Sequence, residues 1–194
     1  MKKITIITPT YNRAKTLPKV FESLINQSFK DFLWIILDDG STDNTSTVVE
    51  NFQLLNPFFE IIYKKDKNRH KFLTVLEGVK MVKTPYFMVV DSDDIYPEDA
   101  LETLISEVEK IENQDNYVAV MGLSADENGK IIGNQYPNNG FDGSIFEMRY
   151  KHKVRGDKFG IFITKTYQRE ISGKDFSQYE GKGYIPQSVI FNEY

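Results

Sequence analysis

A chain of 194 residues with 40% hydrophobic content can bury one sizeable core, and its length favours one domain over several. A net charge of -4 leaves no basic footprint for nucleic acid, and the absence of cysteine excludes disulfides, Cys-ligated zinc and thiol catalysis. No signal peptide and no apolar run of spanning length is apparent, so the expectation is a soluble, cytoplasmic protein.

The first apolar run, Lys3-Ile4-Thr5-Ile6-Ile7-Thr8, has the β-branched composition of a strand, and Pro9 is expected to stop it. Tyr11 and Asn12 then fall in a loop before a helical pattern at Leu17, Val20, Phe21, Leu24 and Ile25. Phe32-Leu33-Trp34-Ile35-Ile36-Leu37 predicts a second strand. It runs into Asp38-Asp39-Gly40-Ser41-Thr42-Asp43-Asn44-Thr45, whose Asp, Ser and Thr side chains can cap a helix through Val48, Val49 and Phe52. The order strand, polar loop, helix returns with 60–64 before 72–82, and again with 86–90 before 100–111. Four such units predict an α/β fold in a single domain, a Rossmann-related, mainly parallel sheet flanked by helices.

Sheets of this kind take ligands beyond the carboxyl ends of their strands, beside a switch in strand order. Three polar clusters fall at such ends. Tyr11 offers a ring for stacking, and Asp38 or Asp39 an acceptor for a base or ribose. Asp91-Ser92-Asp93-Asp94, after the apolar Tyr86-Phe87-Met88-Val89-Val90, gathers three carboxylates. Crowded like charges repel, and a hard divalent cation with oxygen ligands relieves them. An exposed acidic turn leading into the helix after Pro97-Glu98-Asp99 has the same composition and stands as the alternative. Together the clusters suit a metal-bound nucleotide diphosphate.

Pro9-Thr10-Tyr11-Asn12-Arg13, Asp38-Asp39-Gly40-Ser41-Thr42-Asp43 and Asp91-Ser92-Asp93-Asp94, in that order and at these separations, resemble the family 2 glycosyltransferases of the GT-A fold. The resemblance covers residues 1–111 and marks them as the nucleotide-sugar-binding half. It implies inverting transfer of a sugar from a nucleotide diphosphate sugar, most frequently a UDP-sugar in this family, to a glycan or lipid-linked acceptor in cell-surface glycan assembly. The implied cofactor is Mn²⁺ or Mg²⁺. The same resemblance puts Thr10 and Tyr11 in the base pocket, makes Asp39 an acceptor for the base, brings Asp91 to the ribose and the metal, and makes Asp93 the direct metal ligand. Pro9, Asn12, Asp38 and Ser92 belong to the same nucleotide-sugar site. Relatives that use lipid-linked acceptors work at the inner face of the membrane, which makes peripheral attachment compatible with a cytoplasmic protein.

Asn68-Arg69-His70-Lys71 precedes the third helix and reads either as a solvated basic turn or as a contact to the diphosphate. Against an Asn-Gly-Gly-Lys-like segment of the family, Lys71 matches best. Residues 112–194 form the acceptor half, with strands expected at 118–123 and at Phe159-Gly160-Ile161-Phe162-Ile163, a turn at Asp126-Glu127-Asn128-Gly129 and a short helix over 144–150. An inverting enzyme needs a carboxylate to deprotonate the acceptor hydroxyl. Phe176-Ser177-Gln178-Tyr179-Glu180-Gly181-Lys182-Gly183-Tyr184-Ile185-Pro186 resembles a family segment with an acid where Lys182 stands, so Glu180, and after it Asp175, are the candidate general bases. The end of the chain soon after this segment is expected to mark a shortened acceptor half. Two rivals stay open: a sugar nucleotidyltransferase, against which stands the lack of any Gly in 8–16, and a non-catalytic nucleotide-sugar-binding relative.

Overall fold

The structure, a computed structural model, describes residues 2–56, 58–185 and 190. Strands β1 (Ile4–Thr10), β2 (Phe32–Asp38), β3 (Glu60–Lys65), β4 (Tyr86–Val89), β5 (Ala119–Leu123) and β6 (Lys158–Ile163) form one sheet in the order β3-β2-β1-β4-β6-β5. Helices α1 (Leu17–Ile25), α2 (Thr45–Leu55), α3 (His70–Met81) and α4 (Ala100–Glu109) follow the first four strands, and α5 (Thr164–Ile171) follows β6. No helix among the described residues is long and apolar enough to cross a membrane.

The register positions the site. β1 pairs in parallel with β2 from Ile4 opposite Phe32 to Thr10 opposite Asp38, so these strands end level and their loops emerge side by side. On its other side β1 pairs in parallel with β4, Ile7 lying opposite Val89. Chain order runs outward from β1 through β2 to β3 and then returns to the far side of β1, which makes the β1/β4 boundary the switch in strand order. β1 runs through Pro9 to Thr10, against the expectation that Pro9 stops it. Ile7 O accepts from Val90 N on the β4 side, and Pro9, two residues on, turns its nitrogen to that same side, where the β4 ladder has already ended. β6 departs from the parallel pattern, running antiparallel to β4.

Both faces of the sheet are covered. On one, Phe21 of α1 stacks on Phe52 of α2 at 4.2 Å between ring centroids, with Trp34 of β2 at 6.2 Å from Phe21. Trp34 is fully buried and its indole N–H donates to Thr8 Oγ1 at 2.9 Å, which satisfies the one polar atom it carries into the core. On the other face α3 lies close against β1 and β2 through Gly78. A Cβ there would meet Leu37 Cδ1 at 2.7 Å and Ile7 Cγ2 at 2.9 Å. That close approach fixes where the first turn of α3 delivers Lys71. Buried Gln27 ties α1 to α4, accepting from Leu101 N at 3.0 Å and donating to Pro97 O at 2.7 Å.

Helix α5 has no counterpart in the expected elements. Its residues Thr-Lys-Thr-Tyr-Gln-Arg-Glu-Ile are too polar to display an apolar stripe, yet Thr164, Thr166, Tyr167 and Ile171 are buried, and the Tyr167 ring stands edge-on to Phe87 at 5.0 Å. The expected helix over 144–150 is present as a short π-helical turn, Glu147–Lys151.

Contacts divide the chain into two compact units, one drawn from residues 1–120 and 161–194 and the other from 121–160. Within the second, Asp126 Oδ1 accepts from Asn128 N and Lys130 N to build the expected turn, with Gly129 at φ 77. Gly133 and Gly156 let two backbone segments meet, since a Cβ on Gly133 would lie 2.1 Å from Arg155 O. All the candidate site residues lie in the first unit.

Candidate functional site

Because β1 and β2 end level, the two loops that follow are joined by side-chain hydrogen bonds. Asn12 adopts a left-handed backbone, φ 54, which Asn tolerates better than most residues. Its Oδ1 accepts from Thr42 N at 2.7 Å and Asp43 N at 3.2 Å, and its backbone N–H donates to Ser41 Oγ at 2.8 Å. Asp43 takes Thr45 Oγ1 and Thr45 N on one oxygen and Ala14 N on the other. The Thr45 hydroxyl, more than any other neighbour, holds the Asp43 carboxyl below its usual range. The cap on α2 thus comes from Asp43, one residue before the N-cap position Asn44, whose own side chain makes no capping bond. With Asn12 fixed, Tyr11 is left 47% exposed at the loop tip, its ring available for stacking. Thr10, at the end of β1, is buried, and its hydroxyl has no hydrogen-bond partner among the described residues.

Asp38 and Asp39 are both buried and have different surroundings. Asp38 accepts from Ser41 N at 2.7 Å on one oxygen and from the Tyr63 hydroxyl on the other, so both oxygens serve the framework. Burial first, and then Asp38, push the Tyr63 phenol well above its ordinary range. Asp39 accepts on Oδ1 alone, from Arg69 N at 2.7 Å and Thr74 Oγ1 at 2.9 Å. Its Oδ2 has no hydrogen-bond partner among the described residues, and Asp39 lines a cleft of mixed charge with Lys64, Lys67 and Arg69 on one hand and Asp38, Asp66 and Glu77 on the other. Of the two acceptors the sequence offered, Asp39 is the one with an oxygen to spare. Gly40, at φ 86, permits the close approach of the loop between β3 and α3, for a Cβ there would lie 3.1 Å from Asn68 N.

The end of β3, that loop and the first turn of α3 carry four cations to four places, where the sequence suggested a solvated basic turn or a diphosphate contact. Lys65 Nζ donates to Ser41 O at 2.7 Å, Lys67 lies 3.6 Å from Glu180, and Lys71 lies 2.5 Å from Asp91. Arg69 sits by Asp39, its Nε buried with no partner among the described residues. In the sequence Lys64, Lys65 and Lys67 read only as a basic run before that turn, because nothing in a run of lysines says which elements each one meets.

Asp91, Ser92 and Asp93 stand just past the end of β4, in a turn closed by Asp94 N donating to Asp91 O. Ser92 is buried, whereas the Asp91 and Asp93 side chains are 38% and 53% exposed. Asp93 has Arg13 Nη2 3.8 Å away. Beneath the turn lies Tyr96, its phenol raised well above the ordinary range by burial and then by Asp94 and Asp91. Among the described residues no three His, Cys, Asp or Glu side chains converge on a point where they could hold a metal.

The two candidate bases differ in the same way as the two aspartates. Asp175 takes Ser177 N at 2.8 Å and Ser177 Oγ at 2.9 Å, which lower its pKa and tie it to the turn Ser177–Tyr179. Phe176 and Tyr179 pack edge-on against Phe72 of α3, at 5.8 and 5.4 Å between centroids, and this anchors the segment beside the β3–α3 loop. Glu180 follows and meets Lys67. Lys182 lies with its Nζ 5.9 Å from the Tyr179 ring centroid, and Pro186, the end of the segment singled out in the sequence, lies outside the described residues.

An open α/β sheet with polar groups from the ends of β1, β2 and β4 gathered at its switch point defines a nucleotide-binding class of architecture. A model of the glycosyl transferase family 2 matches residues 5–174, and the chain belongs to that family. It is 34% identical over 202 aligned positions to the poly(ribitol-phosphate) β-N-acetylglucosaminyltransferase TarP of Staphylococcus aureus, covering 98% of this chain and 56% of that protein. Among solved structures it is similar to residues 1–349 of S. aureus TarS in complex with UDP, with a TM-score of 0.60 and 20% identity over 87% of this chain and 48% of that one. The mannosyltransferase PcManGT of Pyrobaculum calidifontis in complex with GDP-Man and Mn²⁺ gives 0.62 and 16% over 90% and 48%. These likenesses establish a GT-A fold, and the chain spans about half the length of each of these three proteins.

Proposed function

We propose that this chain binds a nucleoside diphosphate sugar at the carboxyl ends of β2, β1 and β4 and transfers the sugar, with inversion, to a hydroxyl of a glycan or lipid-linked acceptor. The observation that carries the reading is the level ending of β1 and β2, with β4 ending earlier, opposite Ile7, on the other side of β1. It sets the free Asp39 oxygen, the exposed Tyr11 ring and the Asp91/Asp93 pair in one row across the switch in strand order. Taken in order, these groups suit a base, a ribose and a diphosphate. UDP is the favoured donor nucleotide, since a carboxylate acceptor matches the imide N–H of uracil, and the TarS complex holds UDP.

In this reading the Tyr11 ring stacks on the base and Asp39 Oδ2 accepts from it, while Thr74 and the Arg69 amide keep the carboxylate oriented through Oδ1. Pro9, Thr10, Asn12, Asp38 and Ser92 shape the surrounding walls, and Asp91 reaches the ribose. The donor set fits a divalent cation. Mg²⁺ and Mn²⁺ sites of this kind take one or two carboxylates and complete the shell with substrate phosphate and water, so two carboxylates without a third are enough. Asp93, with Asp91, would hold Mn²⁺ or Mg²⁺, which when bound supplies charge stabilisation for the departing diphosphate. Lys71 and Arg13 add positive charge on the same side.

For turnover, the acceptor oxygen forms a bond to the anomeric carbon as the bond from that carbon to the diphosphate breaks. Glu180 takes the hydroxyl proton and the nucleoside diphosphate leaves with the electron pair. A cytoplasmic chain, at the inner face of the membrane when the acceptor is lipid-linked, accompanies this donor chemistry. The pairing of Glu180 with Lys67 and of Asp175 with Ser177 favours a second reading, a nucleotide-sugar-binding relative without turnover. A thermal-shift screen of nucleoside diphosphates with and without Mn²⁺ tests donor binding, since a ligand selective for the native state stabilises it by mass action. Mn²⁺-dependent hydrolysis of a UDP-sugar then separates an enzyme from a binding module. No stabilisation by any nucleoside diphosphate with Mn²⁺ would contradict both readings.

A further inference from the structure

Each carboxylate that the proposed site gives to a divalent cation already faces a cation of the protein. Lys71 Nζ lies 2.5 Å from Asp91 Oδ2, and Arg13 Nη2 lies 3.8 Å from Asp93 Oδ2. The two pairs are built from three separate pieces of chain. Lys71 comes from the first turn of α3 and Arg13 from the loop after β1, and both reach the turn after β4. Lys71 and Asp91 therefore link the first turn of α3 to the turn after β4, beside the switch in strand order. All four side chains are between 38% and 53% exposed, so neither pair is locked in the core. Exposed ion pairs hold weakly and exchange partners at small cost.

Two carboxylates with two resident cations are neutral together. A divalent metal arriving alone brings positive charge toward Lys71 and Arg13, and a diphosphate arriving alone brings negative charge toward Asp91 and Asp93. The two arriving together are close to neutral and offer each resident group a new partner, carboxylate to metal and ammonium or guanidinium to phosphate. Resting on the donor reading above, we propose that Lys71, seconded by Arg13, is an exchangeable counterion. It occupies Asp91 in the free protein and passes to the diphosphate when metal and nucleotide enter, which makes their binding mutually dependent. Lys71 is thus a positioning residue for the metal and a contact for the donor, in succession.

Calorimetric titration of Mn²⁺ alone and of UDP in saturating Mn²⁺, with the free Mn²⁺ signal in electron paramagnetic resonance as a second measure, tests this on the full chain and its variants. Lys71→Met should tighten Mn²⁺ alone by roughly two- to fivefold, the range for losing an exposed competing ion pair, and weaken UDP by a similar factor or more. Lys71→Arg should stay near the parent in both. Opposite shifts of metal and nucleotide affinity are not produced by a merely structural ion pair. Mn²⁺ affinity that is unchanged or reduced in Lys71→Met overturns the exchange, as does an unchanged UDP affinity. Asp93→Ala separates the two layers of the claim: if it binds Mn²⁺ and UDP as the parent does, the donor reading fails, whereas its loss of binding without opposite shifts in Lys71→Met removes the exchange alone.

Discussion

Asn12 Oδ1 accepts a 2.7 Å hydrogen bond from the backbone amide of Thr42 and so ties the loop that presents Tyr11 to the loop that carries Asp39. Asn12→Ala removes an acceptor shared by the amides of Thr42 and Asp43 and places a Cβ-bearing residue with no local hydrogen bond at φ 54. Left-handed backbone costs such a residue roughly 1–2 kcal/mol and each lost hydrogen bond roughly 0.5–1.5, so a loss of about 2–5 kcal/mol is expected. Asn12→Gly should recover the backbone share only. Urea denaturation of the three proteins measures this, and an alanine variant as stable as the parent would refute the tie.

Asp39→Asn is a close isostere that keeps Oδ1 for Arg69 N and Thr74 Oγ1 and replaces Oδ2 by an amide donor. Stability should change little. UDP affinity should fall by about 1.5–3 kcal/mol, roughly 10- to 150-fold, the worth of a hydrogen bond to a charged group. Calorimetry showing equal UDP affinity in the two proteins would remove Asp39 from base recognition.

Four phenols, Tyr63, Tyr86, Tyr96 and Tyr167, are raised above the ordinary value, in each case chiefly by burial, with Asp38 adding to Tyr63 and Glu112 to Tyr86. The unfolded chain releases these protons near pH 10 while the native chain retains them. Their contribution to stability is therefore fully present below about pH 10 and is lost as pH rises further. Tyr63→Phe should be less stable than the parent at neutral pH, because Asp38 loses a donor, and should decline less steeply above pH 10. Urea midpoints between pH 8 and 11 compare the slopes, and identical slopes would count against a raised Tyr63.

The strands and the place of the site are legible in the sequence because buried parallel strands are continuous apolar runs, and each ends at a cluster of Asp, Ser, Thr or Asn. Ile4 to Thr8, Phe32 to Leu37 and Tyr86 to Val90 announce themselves in this way. The persistence of β1 through Pro9 is not legible, since it depends on which neighbour the missing N–H faces. Helix α5 is hidden because its buried face is made largely of threonine and tyrosine. Asp38 and Asp39 are chemically identical in the sequence. Only the approach of Tyr63 to one and of Arg69 and Thr74 to the other distinguishes them. The partners of Lys67 and Lys71 lie 113 and 20 residues away along the chain, beyond any local pattern.

Glu180→Gln tests the assigned base. Turnover should fall by roughly 10²- to 10⁴-fold with donor affinity nearly unchanged, as for loss of general base catalysis. Lys67→Met, which frees Glu180 from its cation, should leave donor hydrolysis measurable. Near-parental transfer by Glu180→Gln, with a competent acceptor, would move the role to another carboxylate.

The most direct measurement is the Mn²⁺ dependence of UDP binding in the parent and in Asp93→Ala. Asp93 is half-exposed and its pairing with Arg13 is weak, so the variant should fold with metal-free stability close to the parent's. The account predicts that Mn²⁺ strengthens UDP binding to the parent and has no such effect on Asp93→Ala. A variant whose UDP affinity rises with Mn²⁺ as the parent's does would contradict it.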